Sequence, residues 1–120
     1  MKRRIRLRGI NGQVEGKTWD SDNILRAGRL ATLEIVLEDS SVSRRHAEVR
    51  LTEKGWRVRD LGSTNGTYLN GQRVLSPSPL KHGDQIKVGS ITQSERLSKY
   101  NRLLAIEAEA HLPIRAWPAT

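Results

Sequence analysis

The sequence predicts an all-β fold, a two-sheet sandwich. Apolar and polar residues alternate at period two in one short segment after another. Gly- and Asn-rich breaks separate these segments at close spacing. There is no coiled-coil heptad and no internal repeat.

Each element follows in order. Ile5 and Leu7 alternate with Arg4, Arg6 and Arg8, which reads as a half-buried strand with a basic outer face. Gly9, Asn11, Gly12 and Gly16 break the chain, and Lys17 to Asp20 reads as a short strand. The next runs from Asn23 towards Arg29 and ends at Gly28. Leu33, Ile35 and Leu37 alternate around Glu34 and Val36. After a Glu-Asp-Ser-Ser turn, Ala47, Val49 and Leu51 alternate with Glu48 and Arg50. Lys54-Gly55 turns the chain into Trp56 and Val58. Asn70-Gly71, set between Tyr68-Leu69 and Arg73-Val74, predicts a type I′ hairpin, since Asn and Gly both tolerate positive φ. Ser76 to Pro79 reads as a loop, and Gly83-Asp84 turns into a strand over Gln85 to Val88. From Glu95 onward there are good helix formers, yet Leu104, Ile106 and Ala108 alternate as in a strand. The strand is preferred, because a sandwich needs a closing strand beside the first one.

Composition narrows the functional classes. The chain has 120 residues, enough for one domain and one core. It has no Cys, which excludes a disulfide scaffold, a cysteine nucleophile and a thiolate metal site. Zero Cys also fits a reducing, cytoplasmic setting. No apolar run is long enough to span a membrane. The net charge of +8 favours an anionic partner. Three Trp and two Tyr without Phe are too few for a stacking platform on single-stranded nucleic acid.

Three polar loops at strand ends hold the unusual residues: Gly28-Arg29, Ser41 to His46, and Gly62 to Thr67. Loops gathered at one end of a sandwich commonly build a site on a rigid scaffold.

These residues, in this order, resemble the forkhead-associated (FHA) domain family. The resemblance rests on Gly28-Arg29, Ser43-Arg44-Arg45-His46, Ser63-Thr64-Asn65-Gly66-Thr67, Leu69-Asn70-Gly71 and Gly83-Asp84-Gln85-Ile86, and covers roughly Ile5 to Gly89. It implies a β-sandwich of about eleven short strands with functional loops at one end. It also implies binding of phosphothreonine peptides and no catalytic activity.

The physical chemistry fits. A phosphothreonine carries about −1.5 to −2 charges and three acceptor oxygens. Arg offers the forked donor such a group takes, and Lys does not. With the resemblance, the expected phosphopeptide-binding residues are Arg29, Ser43, Arg44, Thr64 and Asn65. Arg29 and Ser43 would contact phosphate oxygens, and Arg44 would add charge. By resemblance, Thr64 lies at the phosphate or the threonine methyl, and Asn65 clamps the peptide backbone. Gly28, His46 and Gly66 are expected to support the site, with His46 bonding across the loops to hold Ser43. Recruitment of a partner phosphorylated by a Ser/Thr kinase is the function implied, and no cofactor or metal. A preference for phosphothreonine over phosphoserine is also implied by the resemblance.

Plainer readings stand beside these. Asn70-Gly71 reads as hairpin only, and Arg45, Arg50, Arg57 and Arg59 as solvated faces. Trp19 and Trp56 read as core, and His82 and His111 as surface. Ser43 and His46 lack an orienting acid in a matching motif, which argues against nucleophilic catalysis. The alternative function is phosphate-independent binding of an acidic protein or nucleic acid through the basic first strand. Nucleic acid is the weaker case, since no recognition-helix pattern is present.

The expected organisation is one domain over residues 1–110, followed by a tail or linker over residues 111–120. The family pattern usually has an Asn-Asp or similar pair where this chain has Leu33-Glu34, which bears on loop packing. The Ser90 to Asn101 segment is longer than the family's final hairpin. It is expected to modify peptide preference, because the neighbouring loop of the family helps select the third residue after the phosphothreonine. A larger parent chain with further domains fits the same reading.

Overall fold

The computed structural model describes residues 4–10, 14–89 and the backbone of 104–112. The Ser90 to Asn101 segment lies outside the described residues, as does the tail beyond Leu112.

Among the described residues, eleven strands form two sheets. They are β1 (Arg4–Gly9), β2 (Thr18–Ser21), β3 (Ile24–Gly28), β4 (Ile35–Val36), β5 (Ala47–Thr52), β6 (Gly55–Asp60), β7 (Thr67–Leu69), β8 (Gln72–Arg73), β9 (Ser78–Pro79), β10 (Gln85–Val88) and β11 (Leu104–Leu112). One sheet has the order β2-β1-β11-β10-β7-β8 and the other β4-β3-β5-β6-β9. Neighbours pair antiparallel, apart from β4, which runs parallel to β3.

The period-two signal maps onto the interior. Ile5 and Leu7 are fully buried, as are Trp56 and Val58. Trp19 is partly buried and packs against the core. β1, β6 and β10 place alternate side chains between the sheets, which removes their apolar area from water.

Two expectations need correction. First, the segment around Ile35 forms only two residues of strand. The next residue, Leu37, still donates its amide to the Gly28 carbonyl at 2.8 Å. Glu34 anchors this corner: its Oε1 accepts the Arg26 amide at 2.8 Å. Leu33-Glu34 therefore packs here by a side chain that reaches the neighbouring strand's backbone. Second, Ser76 to Pro79 is not all loop, since Ser78 and Pro79 pair with Val58 and Arg57 of β6. β1 lies between β2 and β11. Its Arg6 faces Asp20 and makes a two-pronged ion pair, Nε to Oδ1 at 2.9 Å and Nη2 to Oδ2 at 3.1 Å. The basic outer face of the first strand is thus partly neutralised.

The closing strand is present. β11 inserts between β1 and β10, and runs on to Leu112, past the expected limit at residue 110. The Asn70-Gly71 hairpin has φ of 51° and 87° at its two central residues, as a type I′ turn requires.

Candidate functional site

The turn into the second loop is shaped by Asp39, whose Oδ1 accepts both the amide and the hydroxyl of Ser41 at 2.8 Å. Beyond it, the chain runs beside the end of β3. The Arg29 amide donates to the Ser43 carbonyl at 3.1 Å, and the Leu30 amide to the Arg44 carbonyl at 3.3 Å. This approach needs glycine at position 28. A Cβ there would sit 2.1 Å from the Arg44 carbonyl oxygen. Gly28 is therefore required for space, not for an unusual φ.

The third loop is organised by Asp60, at the end of β6. Its Oδ2 accepts the amides of Gly62 at 3.0 Å and Ser63 at 2.9 Å. Its Oδ1 accepts the hydroxyls of Ser63 and, at 2.7 Å, Thr67. Burial alone would raise the Asp60 carboxyl, but the hydrogen bonds from Ser63 and Thr67, with His46 nearby, hold it below its ordinary value. The Ser63 hydroxyl oxygen in turn accepts the Gly66 amide at 2.9 Å. Gly66 has φ of 91°, and glycine makes this turn without strain.

His46 joins the loops. It is fully buried, and its Nδ1 accepts the Ser43 amide at 3.0 Å. That bond leaves Nδ1 without a proton, so Nε2–H donates to the Gly66 carbonyl at 2.8 Å. The neutral tautomer follows from the two partners. Desolvation lowers the pKa of His46, against smaller opposing effects from Gly66 and Asp60.

Two further links close the constellation. The Thr64 amide donates to Ser43 Oγ at 3.1 Å, and Asn65 Nδ2 donates to the Ser41 carbonyl at 2.9 Å. Ser43 Oγ thereby accepts from the protein and keeps its own hydrogen to donate. Arg29 is exposed, and its Nε is tied to the Val42 carbonyl at 2.5 Å. This bond steers the guanidinium and leaves its two terminal nitrogens without a described protein partner. Arg44 and Thr64 are exposed beside it. Arg29, Ser43, Arg44, Thr64 and Asn65 are thus brought to one end of the sandwich, above Gly28, His46 and Gly66. Asn65 Nδ2 already serves the Ser41 carbonyl, which leaves its Oδ1 the freer end.

The family model described as the FHA domain matches residues 25–89, more than half of the chain. The chain belongs to the FHA domain family. Among curated relatives, the glycogen accumulation regulator GarA of Mycobacterium tuberculosis is 47% identical over 66 residues, covering 55% of this chain and 40% of GarA. The oxoglutarate dehydrogenase inhibitor of Corynebacterium glutamicum is 44% identical over 63 residues, covering 52% of this chain and 43% of that protein. The chain thus spans well under half the length of either. Among solved structures, the N-terminal FHA domain of Rad53p from S. cerevisiae, in complex with a phosphothreonine peptide, superposes with a TM-score of 0.72 at 26% identity, covering 89% of this chain and 93% of that one. An Arabidopsis thaliana FHA domain solved in solution gives 0.76 at 26% identity, over 98% and 90%.

Sequence reasoning missed three residues that shape this FHA domain. Asp60 could have been found from its spacing to Gly62 and Ser63, the pattern of an Asp side chain capping its own turn. Asn70 is more than a hairpin residue: its Nδ2 donates to Asp84 Oδ1 at 3.1 Å, and its Oδ1 accepts the Gln85 amide at 2.9 Å. Glu48 is buried on the outer face of β5, beneath Arg50 and Arg59, and alternation alone reads it as solvated.

Proposed function

We propose that this FHA domain binds a phosphothreonine segment of a partner or of its own parent chain, recruiting it after a Ser/Thr kinase has acted. The observation that carries this reading is the convergence of Arg29, Ser43 and Thr64 at one end of the sandwich. Arg29 supplies terminal N–H donors, and Ser43 a hydroxyl hydrogen. Both suit the oxygens of a phosphate dianion. Arg44 adds positive charge, and Asn65 Oδ1 can accept a peptide N–H beside the phosphothreonine. The similarity to the Rad53p domain, solved in complex with a phosphothreonine peptide, supports a phosphothreonine ligand.

The reading is of a binding module in the cytoplasm, with no chemical step. It is tested by fluorescence anisotropy with phosphothreonine, phosphoserine and unphosphorylated versions of a degenerate peptide library. Binding confined to the phosphothreonine set and lost in Arg29→Ala is the expected result. Equal binding to all three sets, or binding that survives Arg29→Ala, would refute it.

A further inference from the structure

Away from the three loops, the outer face of the five-stranded sheet carries a second concentration of arginine. β5 and β6 pair in a register that sets Arg50 opposite Arg57 and Glu48 opposite Arg59. Like charges facing each other across a strand pair are destabilising by themselves. Glu48 offsets only part of this. Its Oε1 accepts from Arg59 Nε at 2.8 Å and from Arg50 Nε at 3.1 Å, and the side chain is 4% exposed beneath them. Arg57 stands outside that pairing, with its Nη1 donating to the Pro77 carbonyl at 3.3 Å. Arg26, also beside Glu48, is matched by Glu34.

The three guanidiniums line an open groove with Glu48, Thr52 and Pro77. Three positive charges against one negative leave a net +2 along it. Each guanidinium is held by a single described bond, so terminal N–H donors remain on all three.

The geometry points to this groove as a docking site for an acidic, unphosphorylated peptide segment of a protein partner, lying extended along β6. Arg57 and Arg59 leave the same face two residues apart, a spacing of about 6.6 Å. Alternate side chains of an extended peptide repeat at that same interval, so acidic residues at every second position meet successive arginines. Arg can pair with a carboxylate through two parallel N–H donors, and on this face Glu48 Oε1 already accepts a single Nε–H from each of Arg50 and Arg59. No aromatic residue lines the groove, which leaves nothing for a nucleic-acid base to stack on. The site is independent of phosphothreonine binding.

The probe is a fluorescein-labelled octapeptide alternating Glu and Gly, with a Gln-Gly counterpart. Anisotropy is read at moderate salt, and amide chemical shifts are mapped on the isotope-labelled protein. The inference expects binding of the Glu peptide only, with shifts confined to β5, β6 and the residues flanking Pro77. Arg50→Gln with Arg57→Gln should weaken binding at least tenfold, while Arg29→Ala retains it. Should the double variant fail to melt cooperatively, Arg57→Gln alone serves, since it leaves both Glu48 pairs intact. Undiminished binding by these variants, or shifts mapping to β1 or the loops, would overturn the inference. So would a single-stranded oligonucleotide that binds the same resonances more tightly than the Glu peptide.

Discussion

The Nε2–H of His46 donates to the carbonyl of Gly66 at 2.8 Å, joining the second loop to the third beneath the site. The other ring nitrogen holds the Ser43 amide, so one buried side chain sets the spacing between the residues proposed to meet the ligand. The backbone groups it satisfies would otherwise be stranded.

His46→Ala removes both bonds. A buried polar group left without a partner costs about 1–3 kcal/mol, and two are exposed to that penalty here. Urea denaturation should show a loss of a few kcal/mol. Phosphothreonine affinity should fall further than the residual folded fraction explains, because Ser43 loses its anchor.

Stability should depend on pH through the same residue. The pKa of His46 is lowered in the folded state from an ordinary value of 6.5. The unfolded chain therefore takes up the proton first as pH falls. The stabilisation is complete above about pH 6.5 and is lost progressively below it, towards the lowered folded value. Unfolding measured between pH 8 and pH 5 should show this decline. A flat profile would contradict it, and His46→Ala should remove the dependence in that range.

Asp60→Asn keeps the shape of the side chain and changes its hydrogen bonding. An amide nitrogen would then replace one carboxylate oxygen and face either the Gly62 and Ser63 amides or the Ser63 and Thr67 hydroxyls. A loss of about 1–3 kcal/mol in thermal or urea unfolding is expected, with weaker phosphopeptide binding as the third loop relaxes. The lowered pKa of Asp60 means that its contribution holds above its ordinary value of 3.8 and fades as pH falls below it.

Gly28→Ala tests a steric argument. The new methyl would lie 2.1 Å from the Arg44 carbonyl oxygen, a backbone atom. The β3 end and the second loop must part, at about 1–3 kcal/mol. Calorimetry should register the lower melting temperature. Amide shifts should move at Arg29, Ser43 and Arg44 and little elsewhere.

Arg29→Lys separates charge from geometry. Lysine keeps the charge but has neither the fork nor an Nε to hold the Val42 carbonyl. Phosphothreonine affinity should drop at least tenfold, about 1.4 kcal/mol. Retained affinity would mean that charge alone suffices.

The sequence by itself determined the sandwich and the end of it that carries the candidate site. Period-two alternation reports which side chains face inward, and Ile5, Leu7, Trp56 and Val58 obey it because each strand buries one face. Asn70-Gly71 reported its turn because the required positive φ restricts the residues that can adopt it. The order of the Gly-Arg, Ser-x-x-His and Asn-Gly signatures brought Arg29, Ser43, His46 and Asn65 into view. Only the tertiary structure decided how these are held. Asp60 also reaches the Thr67 hydroxyl seven residues on, and Glu48 pairs with Arg59 of the next strand, partners that local pattern does not name. The basic first strand looked free in one dimension, yet Arg6 is matched by Asp20 because β2 lies beside it. Arg50 and Arg57 looked like separate solvated residues, and the β5–β6 register sets them face to face. Alternation tells a side chain which face it occupies; strand pairing tells it which charge it meets there.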